Sequence, residues 1–171
     1  MPLLRVLAIG LVTTGWAAWL VAAPCVVAAR SGDAALAASG LTYRAGAVIC
    51  HQQADRSFHV AGIPMPVCAR CFGVYAGASA GAVAVLLWML ARRRRTAAPF
   101  RLRLTRFRVL VLSSGVPTLV LWTVEHAAGA FVSPDARALA AAPLGAAIAA
   151  LVALWAGGAA FEDTPPATAI H

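Results

Sequence analysis

The sequence predicts an all-α integral membrane protein, a bundle of four transmembrane helices with both termini in the cytoplasm. Three observations predict this fold: an apolar composition, four long apolar segments and a one-sided distribution of arginine. Of the 171 residues, 61% are hydrophobic and 12% are charged, whereas about 25% of the residues of a soluble domain are charged. Lipid is therefore the expected solvent, and a single membrane domain covering 1–171 is expected.

Four segments have the roughly 20 apolar residues that a helix needs to cross a bilayer. They cover 6–29, 72–91, 109–132 and 138–161. The backbone must satisfy its own hydrogen bonds inside a bilayer, so continuous apolar runs of this length predict helices. They do not alternate as the strands of a membrane barrel do. We expect the first segment to be a retained helix, because its 24 residues are long for the core of a signal peptide.

Arginine sets the expected orientation of these helices. All 14 basic residues are arginine, and eight of them lie in the loop 92–108, which contains no acid. Such a loop faces the cytoplasm, where it meets anionic lipid headgroups. The loop 30–71 then lies on the extracytoplasmic side of a bacterial inner membrane, and a short interfacial helix is expected over 33–49. Because the arginines lie between apolar segments, we expect the bilayer as partner and no nucleic acid.

The loop 30–71 ends in the stretch "CHQQADRSFHVAGIPMPVCARC", which carries the chemistry of the chain. Cys50, His51, Cys68 and Cys71 are the ligands of a tetrahedral site with three thiolates and one imidazole, which predicts a metal ion and most simply Zn²⁺. The side chains of adjacent residues diverge, so Cys50 and His51 do not easily bind one ion. His51 is then a group beside the site.

Other residues are alternative ligands or neighbours of this site. They are Arg56 and His59 in the same loop, and Glu125 and His126 at the outer end of the third apolar segment. An acid inside such a segment costs about 2.5–3.5 kcal/mol on insertion scales and usually faces a partner or a cavity. Glu125 is therefore expected either to join the cysteine site or to pair with Arg56, Arg70 or Arg137.

Redox chemistry is a second interpretation of the cysteines. Thiols outside the cytoplasm tend to pair, and a Cys-x-x-Cys sequence at a helix start has a lowered thiol pKa. Cys25 and Cys50 would form one pair and Cys68 and Cys71 the other, in the layout of a quinone-linked thiol–disulfide oxidoreductase. A third interpretation is purely structural, with disulfides that fasten the loop.

The sequence resembles a bacterial and archaeal membrane family known as domain of unknown function 2085. Its pattern is Cys-His-Gln, Arg-Ser-Phe, a glycine, Pro-Val-Cys-Ala-Arg-Cys and Gly-x-Tyr-x-Gly. The matching residues are Cys50, His51, Gln52, Arg56, Ser57, Phe58, Gly62, Pro66, Val67, Cys68, Ala69, Arg70, Cys71, Gly73, Tyr75 and Gly77. The resemblance implies the membrane fold and the cysteine site, and it implies no reaction. One departure lies after Pro117, where Glu125 and His126 stand in place of an acid that follows the proline more closely in the family.

Taken together, these patterns predict a small membrane protein with an extracytoplasmic zinc site, which serves as an accessory or assembly subunit of a membrane complex or of a homo-oligomer. The quinone-linked oxidoreductase and the purely structural subunit are the alternatives.

Overall fold

The computed structural model describes residues 1–93 and 101–162, with side chains described for 1–92 and 105–159. Within these described ranges there are five α-helices: α1 (Pro2–Ala28), α2 (Asp33–Ile49), α3 (Ala69–Arg93), α4 (Leu104–Ala128) and α5 (Pro134–Ala156). The short strands are β1 (His59–Val60), β2 (Ile63–Pro64), β3 (Arg101–Arg103) and β4 (Ala160–Glu162), and a 3₁₀ turn covers Ala54–Arg56. Helices α1, α3, α4 and α5 are long and apolar enough to cross a membrane. The predicted fold class, an all-α protein with four such helices, is confirmed.

Helices α3 and α5 form the tightest contact of the fold. The small-residue ridge of α3 lies directly on the backbone of α5, where a side chain on any of three glycines would overlap an alanine main chain. The facing residues are Gly73 with Ala138, Gly77 with Ala142, and Gly81 with Ala146. Gly145 of α5 approaches Val74 of α3 in the same way. Gly73, Gly77 and Gly81 recur every fourth residue in the sequence, a spacing that puts them on one face of a helix and predicts close association with another helix in lipid.

The other two long helices flank this pair. Helix α1 packs on α3, and α4 packs on α5. Helix α4 is the least buried of the four, and it encloses with α3 and α5 an apolar groove of about 560 Å³. Few packing contacts therefore fix the position of the described part of α4. The polar contacts near its C-terminal end contribute correspondingly more.

Two hydrophobic clusters define the two ends of the molecule. Val6, Val85 and Ala153 join the start of α1 to the ends of α3 and α5, and β3 pairs with β4 at that end. Leu20 and Cys50 belong to the opposite cluster. The start of α1 and the arginine-rich connection thus lie at one end and the cysteines at the other, and the side of the membrane that each faces stays a prediction. Residues 94–100 of that connection and the polar tail 163–171 lie outside the described residues.

The ends of some helices differ from the ends of the predicted apolar segments, because the residues that cap a helix, and not its hydropathy, decide where it begins or ends. Helix α5 begins at Pro134, because Ser133 caps it: the Ser133 hydroxyl accepts a hydrogen bond from the Ala136 amide at 3.3 Å, and proline suits the first helical position. Helix α4 ends at Ala128, since Gly129 follows with φ of +59°. A helix over 33–49 was expected, and α2 covers those residues.

The contact between α3 and α5 predicts opposite effects for two matched glycine substitutions. Gly77→Ala places a methyl group on the Ala142 backbone, and overpacking of this kind costs about 1–3 kcal/mol. We expect a lower apparent melting temperature in detergent, measured by circular dichroism. Gly15→Ala meets nothing within 4 Å and should leave the melting temperature unchanged or higher. Equal effects of the two substitutions would contradict the close packing.

Candidate metal centre

Three sulfur atoms come together at the start of α3. The Sγ atoms of Cys50, Cys68 and Cys71 all lie within 4.8 Å of one another, and among the described residues these side chains form a group that can hold a metal ion. Cys25 is exposed on α1 and lies outside the group. All four cysteines are unpaired in this structure.

The end of α2 presents Cys50 to the other two cysteines. The helix stops at Ile49, and Cys50 is extended, with its amide donating to the Gly46 carbonyl at 2.8 Å. Only 7% of Cys50 is exposed. Its sulfur accepts a hydrogen bond from the Cys68 amide at 3.1 Å. The two arms of the motif, the segment that begins at Cys50 and the segment that leads to Cys68 and Cys71, are therefore in direct contact.

Gln52 fastens α2 to the segment that precedes Cys68. Its side-chain amide donates to the Tyr43 carbonyl at 2.6 Å and to the Pro66 carbonyl at 2.7 Å. The Tyr43 hydroxyl donates to the Pro64 carbonyl at 2.7 Å, and burial raises the pKa of Tyr43, which keeps it a neutral donor. A Cβ atom on Gly46 would collide with the Pro66 carbonyl and the Gln52 amide. These contacts hold the two arms of the motif in register.

A small β-hairpin in the loop covers a group of apolar side chains. Its strands β1 and β2 pair in antiparallel fashion, and the turn between them has Ala61 and Gly62 at positive φ. Below it Met65 and Val67 are buried with Cys50, and the Phe58 ring packs edge-on against Phe72 with centroids 5.7 Å apart. The sulfurs therefore sit between an apolar floor and the polar loop.

The helix start also controls the charge of Cys68. Cys68 directly precedes α3, and its carbonyl accepts the Phe72 amide at 2.9 Å. A hydrogen bond from the Cys71 side chain is the main cause that lowers the pKa of Cys68 to about 5, against burial, which raises it. The amides of Cys71 and Arg70 and the Cys50 side chain also lower it. A thiolate is favoured at a helix N-terminus, and thiolate is the form that binds metal.

A cavity of about 460 Å³ opens above the sulfurs. Its polar wall includes His51, Arg56, Arg70 and His126, and Trp122 contributes an aromatic ring. His51 is exposed and does not belong to the group of three sulfurs. His59 is exposed on β1, away from this wall. The sequence predicts four metal ligands, and two of them, Cys50 and His51, lie outside the Cys-x-x-Cys pair. Cys50 lies in the sulfur group, whereas His51 lies on the cavity wall.

His126 has a fixed ring orientation. Its Nδ1 lies 2.8 Å from the Trp122 carbonyl, and a carbonyl only accepts, so Nδ1 carries the proton. The two rings stack with centroids 4.3 Å apart. Nε2 takes no part in this contact, an arrangement found in metal-binding histidines whose other nitrogen donates to a carbonyl.

Glu125 joins three helices in a charged triad made of Arg70 from α3, Glu125 from α4 and Arg137 from α5. The Arg70 Nη2 group donates to Oε2 at 2.9 Å, and the Arg137 Nε group donates to Oε1 at 2.6 Å. The Glu125 and Arg137 side chains are 4% and 7% exposed. Both carboxylate oxygens are engaged by arginine, as one of the two sequence interpretations expects, and Arg70 connects Glu125 to the cavity wall.

Sequence reasoning did not single out Tyr43 or Trp122, and it gave Gln52 no structural role. Tyr43 and Trp122 lie in helices outside the motif, so only the contact across the fold reveals them. Gln52 follows His51 and has φ of +48°, a turn that the sequence pattern alone does not announce.

Comparisons with known proteins agree with this architecture. The family model described as "Predicted membrane protein (DUF2085)" matches residues 50–151, which contain the motif and helices α3 and α4. An uncharacterised protein of Methanocaldococcus jannaschii is 49% identical over 41 residues, which are 24% of this chain and 26% of that protein. The chain thus spans about a quarter of the length of this curated relative. No solved structure matches the chain.

The charged triad predicts a large loss of stability when its acid is neutralised. Glu125→Gln leaves two arginines without a counter-charge, and removal of one partner from a buried pair costs about 3–5 kcal/mol. Asp135→Asn is the matched control, because Asp135 is exposed in the first turn of α5 and interacts with the helix dipole by about 1 kcal/mol at most. Thermal unfolding in detergent should separate the two variants clearly. Similar melting temperatures would contradict the triad.

The lowered pKa of Cys68 predicts rapid alkylation at acidic pH after treatment with a chelator. With a pKa of about 5, the thiolate predominates about tenfold at pH 6, whereas an ordinary thiol is under about 1% ionised there. In a Cys25→Ser background, iodoacetamide should modify Cys68 nearly as fast at pH 6 as at pH 8, as followed by peptide mass spectrometry. Cys71→Ala removes the main hydrogen bond and should restore the usual steep fall. A steep fall in the parent protein would show that Cys68 is an ordinary thiol.

Proposed function

Because the chain belongs to this family of predicted membrane proteins, whose description names no reaction, we propose a function from the geometry of its site: the protein binds Zn²⁺ through Cys50, Cys68 and Cys71 on the extracytoplasmic face of a bacterial inner membrane. The proximity of the three sulfurs is the observation that carries this proposal. It makes the chain a single-domain membrane metalloprotein.

The donor set fits zinc in number, type and spacing. Zinc–sulfur bonds of about 2.3 Å in a tetrahedral site separate the sulfurs by about 3.8 Å, and the three Sγ atoms already lie within 4.8 Å of one another. Small side-chain rotations therefore suffice for coordination. Cys68 is favoured as a thiolate before any metal arrives, which lowers the cost of deprotonating the ligands.

The surrounding charges also favour a bound metal. Zinc with three thiolates carries a net charge of −1, which is costly to bury without compensation. The charged triad of Arg70, Glu125 and Arg137 carries a net charge of +1 and adjoins the same cavity through Arg70. The two charges offset each other near the start of α3.

The fourth zinc position then faces the cavity. His51 is the ligand expected from the sequence, and its adjacency to Cys50 turns the two side chains apart. We therefore propose that an exchangeable ligand occupies this position, as in zinc sites with three protein ligands. His51→Ala should accordingly leave the zinc content near one per chain, and a loss of zinc would identify His51 as the fourth ligand.

The proposal extends to the role of the protein as an accessory or assembly subunit of a membrane complex or homo-oligomer. Four of the five described helices are long and apolar enough to cross a membrane, and the cysteine cavity has a polar wall. Native mass spectrometry after mild detergent extraction tests this role. A mass above that of one chain with its lipids supports it, and a monomer under every mild condition contradicts it.

Thiol–disulfide exchange is a second candidate, favoured by the lowered pKa of Cys68 and by its contact with Cys71. In this reaction a quinone accepts two electrons and two protons from the two thiols, and a Cys68–Cys71 disulfide forms. A thiolate of a dithiol substrate protein then attacks that disulfide and forms a mixed disulfide, and the second thiol of the substrate displaces the remaining cysteine. Both cysteines return to thiols and the substrate holds the disulfide. Incubation with a soluble quinone should convert both thiols to a form that resists alkylation until a reductant is added. Persistent alkylation would exclude this reaction.

Metal analysis tests the zinc proposal directly. Protein purified without chelator should contain about one zinc per chain, and Cys68→Ser should lower the content by at least about tenfold, because two thiolates bind far more weakly than three. Cys25→Ser is the matched control, since Cys25 is exposed and lies outside the group. Protein without stoichiometric zinc, iron or copper would rule out a metal function.

A further inference from the structure

The cavity above the three sulfurs has a cationic wall. Among its lining residues the arginines are Arg56 and Arg70, the histidines are His51 and His126, and none is a carboxylate; the three cysteines also line it. We propose that this cavity binds a small ligand carrying an oxyanion group, either a carboxylate or a phosphate, and that Arg56 contacts the anion. The contacts of the anionic group depend on the arginines alone. The contacts of the rest of the ligand depend on the proposed zinc function.

The charge of Arg70 is only partly neutralised. Glu125 is shared between Arg70 and Arg137, so the charged triad has one positive charge in excess. Among the described side chains, the buried Arg70 Nε and Arg137 Nη1 groups have no hydrogen-bond partner. Unsatisfied buried donors of this kind are unfavourable, and Arg70 borders the cavity. Glu125 therefore does not cancel the positive potential of the cavity wall.

Arg56 is held at the cavity without a strong counter-ion of its own. Its nearest acid in the described chain is Asp55, at 4.0 Å and 76% exposed, while the Arg56 side chain is 40% exposed. Exposed pairs at this distance contribute little. The 3₁₀ turn ends at Arg56, and the next residue, Ser57, is buried and donates to the Gln53 carbonyl at 2.9 Å. The backbone of Arg56 is thus fixed while its guanidinium stays available.

The shape and charge of the site suit an oxyanion. A guanidinium offers two parallel N–H groups that match a carboxylate or a phosphate. The cavity of about 460 Å³ lies in the size range of small-molecule sites. Zinc with three thiolates offsets the excess charge of the triad, so Arg56 leaves the loaded site with a net positive charge. A carboxylate brings that charge to zero and a phosphate makes it zero or slightly negative, and the remaining atoms of the ligand reach toward the fourth zinc position.

Titration calorimetry of the purified full-length protein in detergent tests the proposal, with sodium acetate and inorganic phosphate as separate probes at constant ionic strength. We expect saturable binding of one anion per chain. Loss of one charge at contact distance should weaken binding about tenfold in Arg56→Gln. Arg56→Lys keeps the charge and loses the fork, so it should retain part of the affinity. Arg44→Gln is the matched control, because Arg44 is exposed on α2 and does not line the cavity.

A second measurement reads the cavity itself. After chelator treatment, the rate of Cys68 alkylation by anionic iodoacetate is divided by the rate for neutral iodoacetamide. We expect this ratio to fall about tenfold in Arg56→Gln and to stay constant in Arg44→Gln. Absence of saturable binding together with an unchanged ratio in Arg56→Gln overturns the proposal. A response to acetate alone or to phosphate alone identifies which oxyanion the site prefers.

Zinc content measured on the protein as purified, before any chelator is added, separates the two proposals. One zinc per chain with no anion effect contradicts the oxyanion site and leaves the metal function standing. An anion effect in protein that holds no zinc supports the oxyanion site and contradicts the metal function.

Discussion

Glu125 is the residue on which the end of the protein that carries the cysteine site depends. Its carboxylate accepts hydrogen bonds from Arg70 of α3 and Arg137 of α5 at 2.9 and 2.6 Å, and it lies on α4, the least buried of the four long helices. An acid on an otherwise apolar helix is unfavourable in lipid unless it is paired, so the pairing fixes the depth and rotation of α4. It thereby brings Trp122 and His126 to the cavity, and it leaves a positive charge beside the sulfurs.

Much of the fold could be predicted because the bilayer restricts it strongly. Four apolar segments allow little besides four helices, and glycines at every fourth position of α3 predict a close neighbour. The approach of Cys68 and Cys71 follows from their spacing at a helix start. The motif also indicates Cys50 as their companion, and its Cys-His-Gln start contains Gln52, whose side chain bonds both arms of the loop.

The remainder depends on contacts between distant segments. Hydropathy placed Arg137 just before the fourth apolar segment, whereas the cap at Ser133 draws this arginine into α5, where it is buried. Ser-Pro-Asp before an apolar run was the signal that could have extended the helix. The number of ligands that zinc needs favours His51 as a metal ligand in the sequence. Its place on the cavity wall depends on the turn at Gln52, which only the folded loop determines. The cationic wall likewise arises from helices that meet in space.

X-ray absorption at the zinc edge of the purified protein tests the central claim most directly, because it counts and identifies the atoms around the metal. A zinc ion bound by Cys50, Cys68 and Cys71 has three sulfur neighbours at about 2.3 Å and one lighter neighbour, nitrogen or oxygen, at about 2.0–2.1 Å. Zinc surrounded only by nitrogen and oxygen would contradict it. So would protein without zinc in which Cys68 and Cys71 form a disulfide with a sulfur–sulfur distance of about 2.05 Å.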